Sequence, residues 1–247
     1  MRADYTELFR DASTVAKYEH VTFAPDSYAS AVNRRQRAYL RRLVKRAFPY
    51  RLPVQHDFAC GTGRAIRILH GLVSSAHGYD TSEPMLTRAA ESALHADLHL
   101  VDAIGDVPAP AATDGPILVT IFRLLLHVDD PVRERAIAFA AKALRNYDAG
   151  LLIVENHGNR HSLRHLGHRR HRHSPWYQEL DHVEVAELLA RHGFTIVERR
   201  GFAMLTQGWY ARPWLRPLAL ATDNILARTG WLSACSVNVL YVARRTG

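Results

Sequence analysis

Between residues 54 and 155 the chain alternates short apolar runs with stretches of helical periodicity, and this alternation limits its folds more than any other feature. Val54–Ala59, Ala76–Asp80, Leu98–Val101, Ile117–Phe122 and Leu151–Glu155 are the apolar runs. Residues 64–73, 83–94 and 131–146 lie between them with apolar positions at helical spacing. Short runs of this kind read as strands, and their alternation with helical stretches implies a parallel sheet wrapped by helices. A further helix is predicted over 29–48 from Val32, Tyr39, Leu40, Leu43, Val44, Ala47 and Phe48, and Pro49 and Pro53 bracket the turn after it. Downstream come a polar insert at 156–182, a helix at 183–192 closed by Gly193 and a sixth strand at 194–199. A second insert at 201–233 holds Trp209, Tyr210, Trp214 and Trp231, and 237–243 is a last strand. One domain over 1–247 is expected, with an N-terminal helical segment (1–50), a core (51–155) and the two insertions.

The segment Asp57-Phe-Ala-Cys-Gly61-Thr-Gly63-Arg64 directly follows the first strand and opens a helix. Glycines there let a ligand approach the backbone, and the helix N-terminus offers free N–H groups to it. The second strand ends in His77-Gly78-Tyr79-Asp80-Thr81-Ser82, and an acid at that point of a βαβ unit can accept from both ribose hydroxyls. Together the two elements point to a nucleoside ligand; the alternative is a structural turn and a helix cap. A nicotinamide fingerprint fits poorly, because it needs a third glycine shaped around a pyrophosphate. The acid four residues before Gly61 suits an ammonium group better.

At these residues the chain resembles the Rossmann-like S-adenosylmethionine-dependent methyltransferases. Asp57–Gly63 fits their motif (D/E)-x-x-x-G-x-G, and Gly78, Asp80, Ser82, Met85 and Leu86 fit their G-x-D-x-S-x-x-M-L. The resemblance implies a seven-stranded, mostly parallel sheet with an antiparallel last strand, helices on both faces and an N-terminal helical lid. It implies S-adenosylmethionine as cofactor. Gly61 and Gly63 would lie under its methionine part and Asp57 near its amino group. Asp80 would hold the ribose, with Thr81 and Met85 against adenine. Ala59, Thr62, Ala103 and Phe122 complete the implied cofactor set, and Asp102 is the candidate for the adenine amino group, although it reads equally as a turn residue.

Methyl transfer to a hydroxyl calls for a base, and His127 and His157, just beyond the fourth and fifth strands, are the candidates. Asp181, His182 and Tyr177 are weaker ones. Arg123, Trp176, Tyr177 and Tyr210 are expected to line the acceptor pocket, and Lys17, Tyr18 and Tyr28 could join them if the N-terminal segment covers the cleft. Broad aromatic faces beside polar groups suit a sugar, an aromatic ring or a lipid; a small cap or a dimer interface would explain them as well. The fourth strand lacks the Asn/Asp-Pro-Pro-aromatic pattern of methyltransferases that act on nucleobase amino groups. The Arg- and His-rich insert loosely resembles sugar O-methyltransferases such as those of methylmannose polysaccharide assembly. O-methylation of a saccharide or other small molecule is therefore the expected activity. A lipid or quinone methyltransferase at a membrane surface is the alternative, and a non-catalytic RNA-binding protein of the same fold is the rival from another class.

Composition bears on the remaining classes. With 47% hydrophobic and 23% charged positions in 247 residues, collagen-like, low-complexity and disordered chains are excluded. Two cysteines support neither a disulfide framework nor a four-thiolate zinc site. His161, His165 and His168 would share a helix face, but no acid accompanies them and no metal is expected. The first residues show no secretory signal, no apolar run would span a bilayer, and a cytoplasmic setting is expected. The net charge of +8 is local: 34–46 and 156–173 hold twelve Lys and Arg and no acid, leaving 20 basic against 24 acidic residues elsewhere. The charge therefore marks an acceptor entrance or a solvated rim, not a continuous nucleic-acid groove.

Overall fold

Strand β1 (Val54–Phe58) is buried at every position, as are β4 (Ile117–Ile121) and β5 (Leu151–Asn156), which is why none of them alternates apolar with polar. The computed structural model describes residues 27–92, 95–145, 150–167, 178–205, 207–226 and 232–246. Lys17, Tyr18, His168, Trp176 and Tyr177 lie outside the described residues. With β2 (Ser75–Asp80), β3 (Asp97–Leu100), β6 (Phe194–Gly201) and β7 (Val239–Arg245), the sheet has seven strands in the order β3-β2-β1-β4-β5-β7-β6. The first five strands pair in parallel, and β7 runs antiparallel to both β5 and β6. This is the Rossmann-like arrangement expected, and its strand order reverses between β1 and β4. Ligand crevices open at the carboxyl ends of strands at such a reversal.

One face of the sheet is covered by α1 (Tyr28–Ala47) and α2 (Arg64–Leu69), whose Leu40, Leu43, Val44, Ile68 and Leu69 pack on Leu118, Ile153, Leu240 and Val242. The other face carries α4 (Asp130–Ala143) and α6 (His182–Arg191), which bring Ile137, Phe139, Leu188 and Leu189 onto Val119, Ile121, Val154 and Tyr241. Helix α3 (Glu83–Glu91) completes the layer beside β2 and β3, with Leu86 against Ile66 and Ala76.

Side chains set the helix starts. Ser27 accepts from Ser30 N at the head of α1, Ser82 from Met85 N at α3, and Asp181 with Glu184 forms a capping box at α6. The second helix stops at Leu69, not at residue 73, because Gly71 turns the chain through φ 76° and Leu72 N bonds back to Leu69 O. Within the insertions the structure adds α5 (Leu163–Gly167), α7 (Gln207–Tyr210), α8 (Arg216–Leu226) and a 3₁₀ turn at Leu232–Cys235. Among the described residues no helix is long and apolar enough to cross a membrane.

Candidate active site

The loop from β1 to α2 takes left-handed backbone at three positions: Ala59 (φ 56°), Gly61 (φ 54°) and Gly63 (φ 79°), the last being the N-cap of α2. Only glycine adopts such φ values without strain. A Cβ on Gly61 would meet only Met85 Sδ, at 3.9 Å, so the space over the loop is open. At Gly78 the demand is steric: a Cβ would stand 2.9 Å from both Cys60 Sγ and Leu98 Cδ2.

Asp80 ends β2 beside this loop. Its Oδ2 accepts from Gly61 N at 2.7 Å and its Oδ1 from Ser82 N at 2.9 Å. Burial pushes its carboxyl up, and these backbone donors work against that shift. A carboxylate offers about four acceptor sites. Two of them hold the loop here, and the others are available to hydroxyls. Asp57 lies deeper, inside β1, where it accepts from Thr120 Oγ1 at 2.6 Å. Burial pushes its carboxyl up to about 7, against the Thr120 hydrogen bond and the Arg64 charge, with the Asp80 charge adding to the rise.

Arg64, the first residue of α2, joins four elements. Its guanidinium donates to Gln36 Oε1 at 2.8 Å and to Asn33 Oδ1 at 3.3 Å on α1. It pairs with Glu155 at the end of β5 and lies 5.2 Å from the centroid of the Phe122 ring after β4. Glu155 is buried and also accepts from Gln36 Nε2 at 2.7 Å. Motif reading assigned no role to Arg64, Glu155, Gln36 or Asn33. A signal was present in Arg64, a cation directly after the second loop glycine, and in Glu155, an acid closing an apolar strand.

The two histidines expected from the sequence meet. His157 Nε2 stands 2.9 Å from His127 Nε2, so one imidazole donates and the other accepts. Gly158 permits this approach: a Cβ there would fall 2.2 Å from Leu126 Cδ1. Arg164 donates to His157 O at 2.9 Å. Burial holds His157 well below the usual histidine range, and the charges of Arg123, His127, Arg164 and Arg64 act in the same direction. Arg123 itself takes φ 61° at the mouth of β4.

The other expected site residues are placed as follows. Met85 is buried under the loop, Thr62 is buried with its carbonyl accepting from Arg67, and Thr81 is partly exposed after β2. Asp102 and Ala103 follow β3, Asp102 exposed and Ala103 O accepting from Arg135 Nη1 at 2.6 Å. Tyr210 is buried edge-on to Tyr28, and its hydroxyl bonds Asp223 and Arg35. Asp181 caps α6, while His182 bonds the Tyr241 hydroxyl and Ala234 O, so both have structural work. His165 pairs with Glu179, and no cluster able to hold a metal occurs among the described residues.

With the geometry in view, comparison with known proteins gives a consistent picture. Residues 56–147 match a family model described as a methyltransferase domain. No curated protein matches the chain at a significant level. Among solved structures, magnesium protoporphyrin IX methyltransferase from Synechocystis PCC 6803, with bound S-adenosylhomocysteine, is similar over 98% of this chain and 97% of its own, at a TM-score of 0.60 and 15% identity. A possible histamine N-methyltransferase from Thermotoga maritima covers 97% and 99%, with a TM-score of 0.59 and 18% identity. The [4+2]-cyclase SpnF is similar over 89% of this chain and 82% of its own, at 0.52 and 20%. These likenesses establish the fold, and a cyclase among them shows that the fold by itself does not dictate the reaction. Residues 56–147, which hold the glycine loop, Asp57, Asp80 and His127, thus match a methyltransferase domain model and lie within a sheet whose fold is that of solved methyltransferases.

Proposed function

We propose that the protein transfers a methyl group from S-adenosylmethionine to a hydroxyl of a saccharide or other small molecule. The observation that carries this reading is the juxtaposition of an open, glycine-built cradle, with Asp80 at its edge, and a hydrogen-bonded histidine pair at the ends of β4 and β5. The donor set fits the cofactor. Gly61 and Gly63 leave room for its methionine portion, Asp80 keeps acceptor capacity for ribose hydroxyls, and Thr81, Met85 and Phe122 would border the base. Asp102 and Ala103, which follow β3, would meet the adenine edge.

The cofactor, when bound, supplies a methyl group already activated on a sulfonium, so the protein has to align the acceptor and manage its proton. His127 is the less buried of the pair, and its Nδ1, the nitrogen not engaged with His157, takes the hydroxyl proton. Its Nε2–H then donates to His157 Nε2, which stays neutral because it is buried among guanidinium groups. Arg123 at the mouth of β4 orients the acceptor, with the Tyr28–Tyr210 pair as a wall of its pocket.

Calorimetric titration with S-adenosylhomocysteine, followed by a labelled-methyl screen over glycans, small phenols, lipids and RNA, tests this reading. Saturable binding that disappears in Asp80→Ala supports the cofactor site. Turnover on a hydroxyl acceptor that falls in His127→Ala and His157→Ala, with S-adenosylhomocysteine binding retained, supports the base. Absence of saturable binding in the native chain removes the enzyme reading, and turnover undiminished in both histidine variants removes the base assignment. A lipid or quinone acceptor is the second reading, favoured by the exposed apolar side chains of α8.

A further inference from the structure

Helix α8 has one face fixed to the body of the protein. Ala219 packs with Ala31 of α1 and with Tyr210. The buried Asp223 carboxylate accepts from Met204 N at 3.0 Å, Leu205 N at 3.1 Å, the Tyr210 hydroxyl and Arg35 of α1. The opposite face is apolar and faces solvent. Leu218, Ala221 and Ile225 follow one another at steps of three and four residues, which places them in a single stripe, and Trp214 stands in the turn that leads into the helix. Trp214 is 75% exposed, Leu218 59% and Ile225 68%, and Trp209 on α7 stands out beside them at 43%. A helix that buries small and polar side chains and turns Leu and Ile outward, with an exposed Trp at its entry, needs an explanation outside the described core.

Charge identifies the occupant. The segment 207–226 has one acid, Asp223, and its carboxylate is buried, whereas Arg212 is exposed next to the stripe. Helix α1, against which α8 packs through Arg35 and Ala31, contains no acid and shows Arg34, Arg37, Arg42 and Lys45 to solvent, while Arg46 is paired with Glu198. A second copy docked through the same face would bring the same basic rim against this one. An anionic lipid surface meets both features, since headgroup phosphates attract the basic rim while Trp, Leu and Ile enter the boundary below them.

We propose that α8 seats the protein on an anionic lipid bilayer, with Trp214, Leu218 and Ile225 at the headgroup boundary and the arginines and lysine of α1 on the surrounding phosphates. The proposal stands on exposure and charge alone and does not depend on methyl transfer.

The test is co-sedimentation of the full chain with phosphatidylcholine vesicles, with and without about a third phosphatidylglycerol. Binding is expected only where the anionic lipid is present, and raised salt weakens it. Trp214→Ala combined with Leu218→Ser weakens partitioning about tenfold or more, and Arg37→Glu with Lys45→Glu does so comparably. Circular dichroism of each variant confirms that the fold is kept, as expected for exposed positions. Failure of the native chain to bind anionic vesicles overturns the proposal. Binding that survives both variant pairs undiminished also overturns it, because the lipid contact then lies elsewhere. Vesicle binding absent, with a dimer in sedimentation velocity that Trp214→Ala/Leu218→Ser dissociates, assigns the stripe to a second copy instead.

Discussion

Removing either partner of the Arg64–Glu155 pair should destabilise the protein strongly and unequally. The side chain of Glu155 is 2% exposed and that of Arg64 14%, so each charge depends on the other in place of water. Truncating one member of a buried pair costs about 3–5 kcal/mol, most of it the penalty of the charge left behind. Arg64→Ala leaves the Glu155 carboxylate with Gln36 Nε2 as its remaining side-chain donor, which argues for the upper part of that range, about 4 kcal/mol. Glu155→Ala leaves Arg64 with Gln36 Oε1, Asn33 Oδ1 and the Phe122 ring, which argues for about 3 kcal/mol. The double variant has no orphaned charge and should lose little more than the worse single one, a coupling of about 2–3 kcal/mol. Urea unfolding of all four proteins at neutral pH, followed by circular dichroism, measures the cycle. A coupling below about 0.5 kcal/mol would show that water already solvates the pair and would refute the argument.

Further outcomes follow from single sites. Stability should fall as the pH drops from about 6.5 to about 4, because unfolded histidines take up protons near 6.5 while burial holds His56 down to about 4 in the fold. His56 alone contributes up to about 3 kcal/mol to this loss, and His77, also shifted down by burial and stacked on it at 5.2 Å, adds to it. Urea midpoints that stay level across that window would refute it, and His56→Gln should flatten the profile. Ala59→Gly should stabilise by about 0.5 kcal/mol, since relief of left-handed strain exceeds the added freedom of the unfolded chain. Ala59→Val should cost about 2 kcal/mol at the same position, and thermal melts decide both. Gly158→Ala should cost about 1–3 kcal/mol through the collision with Leu126 and should spread the histidine pair, so that turnover falls while S-adenosylhomocysteine binding persists. Equal turnover in Gly158→Ala and the native chain would count against the pair as the base.

The sheet was legible because β4 and β5 are short, mostly apolar runs suited to burial on both faces, and because Asp57, the two loop glycines and Asp80 sit at spacings that leave few other ligands. Helix ends were legible where a side chain caps them, as at Ser82 and Asp181, and less so at Leu69, where Gly71 stops the helix inside an apolar run. Helix α8 escaped reading because its outward face is the apolar one, and its Pro217 and scattered small residues look like a loop when core-facing periodicity is sought. Tyr210 illustrates a different limit. Its sequence context offered a pocket aromatic, yet its hydroxyl is taken by Asp223 and Arg35, partners 13 and 175 residues away.

What the sequence alone determined is local and periodic: which segments are strands and helices, where the glycine loop opens a helix, and which acid ends the second strand. These follow from side-chain period, backbone freedom at glycine and the chemistry of caps, all of which act over a few residues. Only the tertiary structure decided that Arg64 closes on Glu155 and Gln36, and that His127 meets His157 across the gap which Gly158 leaves open. It alone showed that α8 turns Leu218 and Ile225 to solvent, with Trp214 exposed just ahead of it, beside a basic helix. Those arrangements depend on contacts between residues tens to more than a hundred positions apart, and burial, which no local pattern encodes for them, is what gives each its energy.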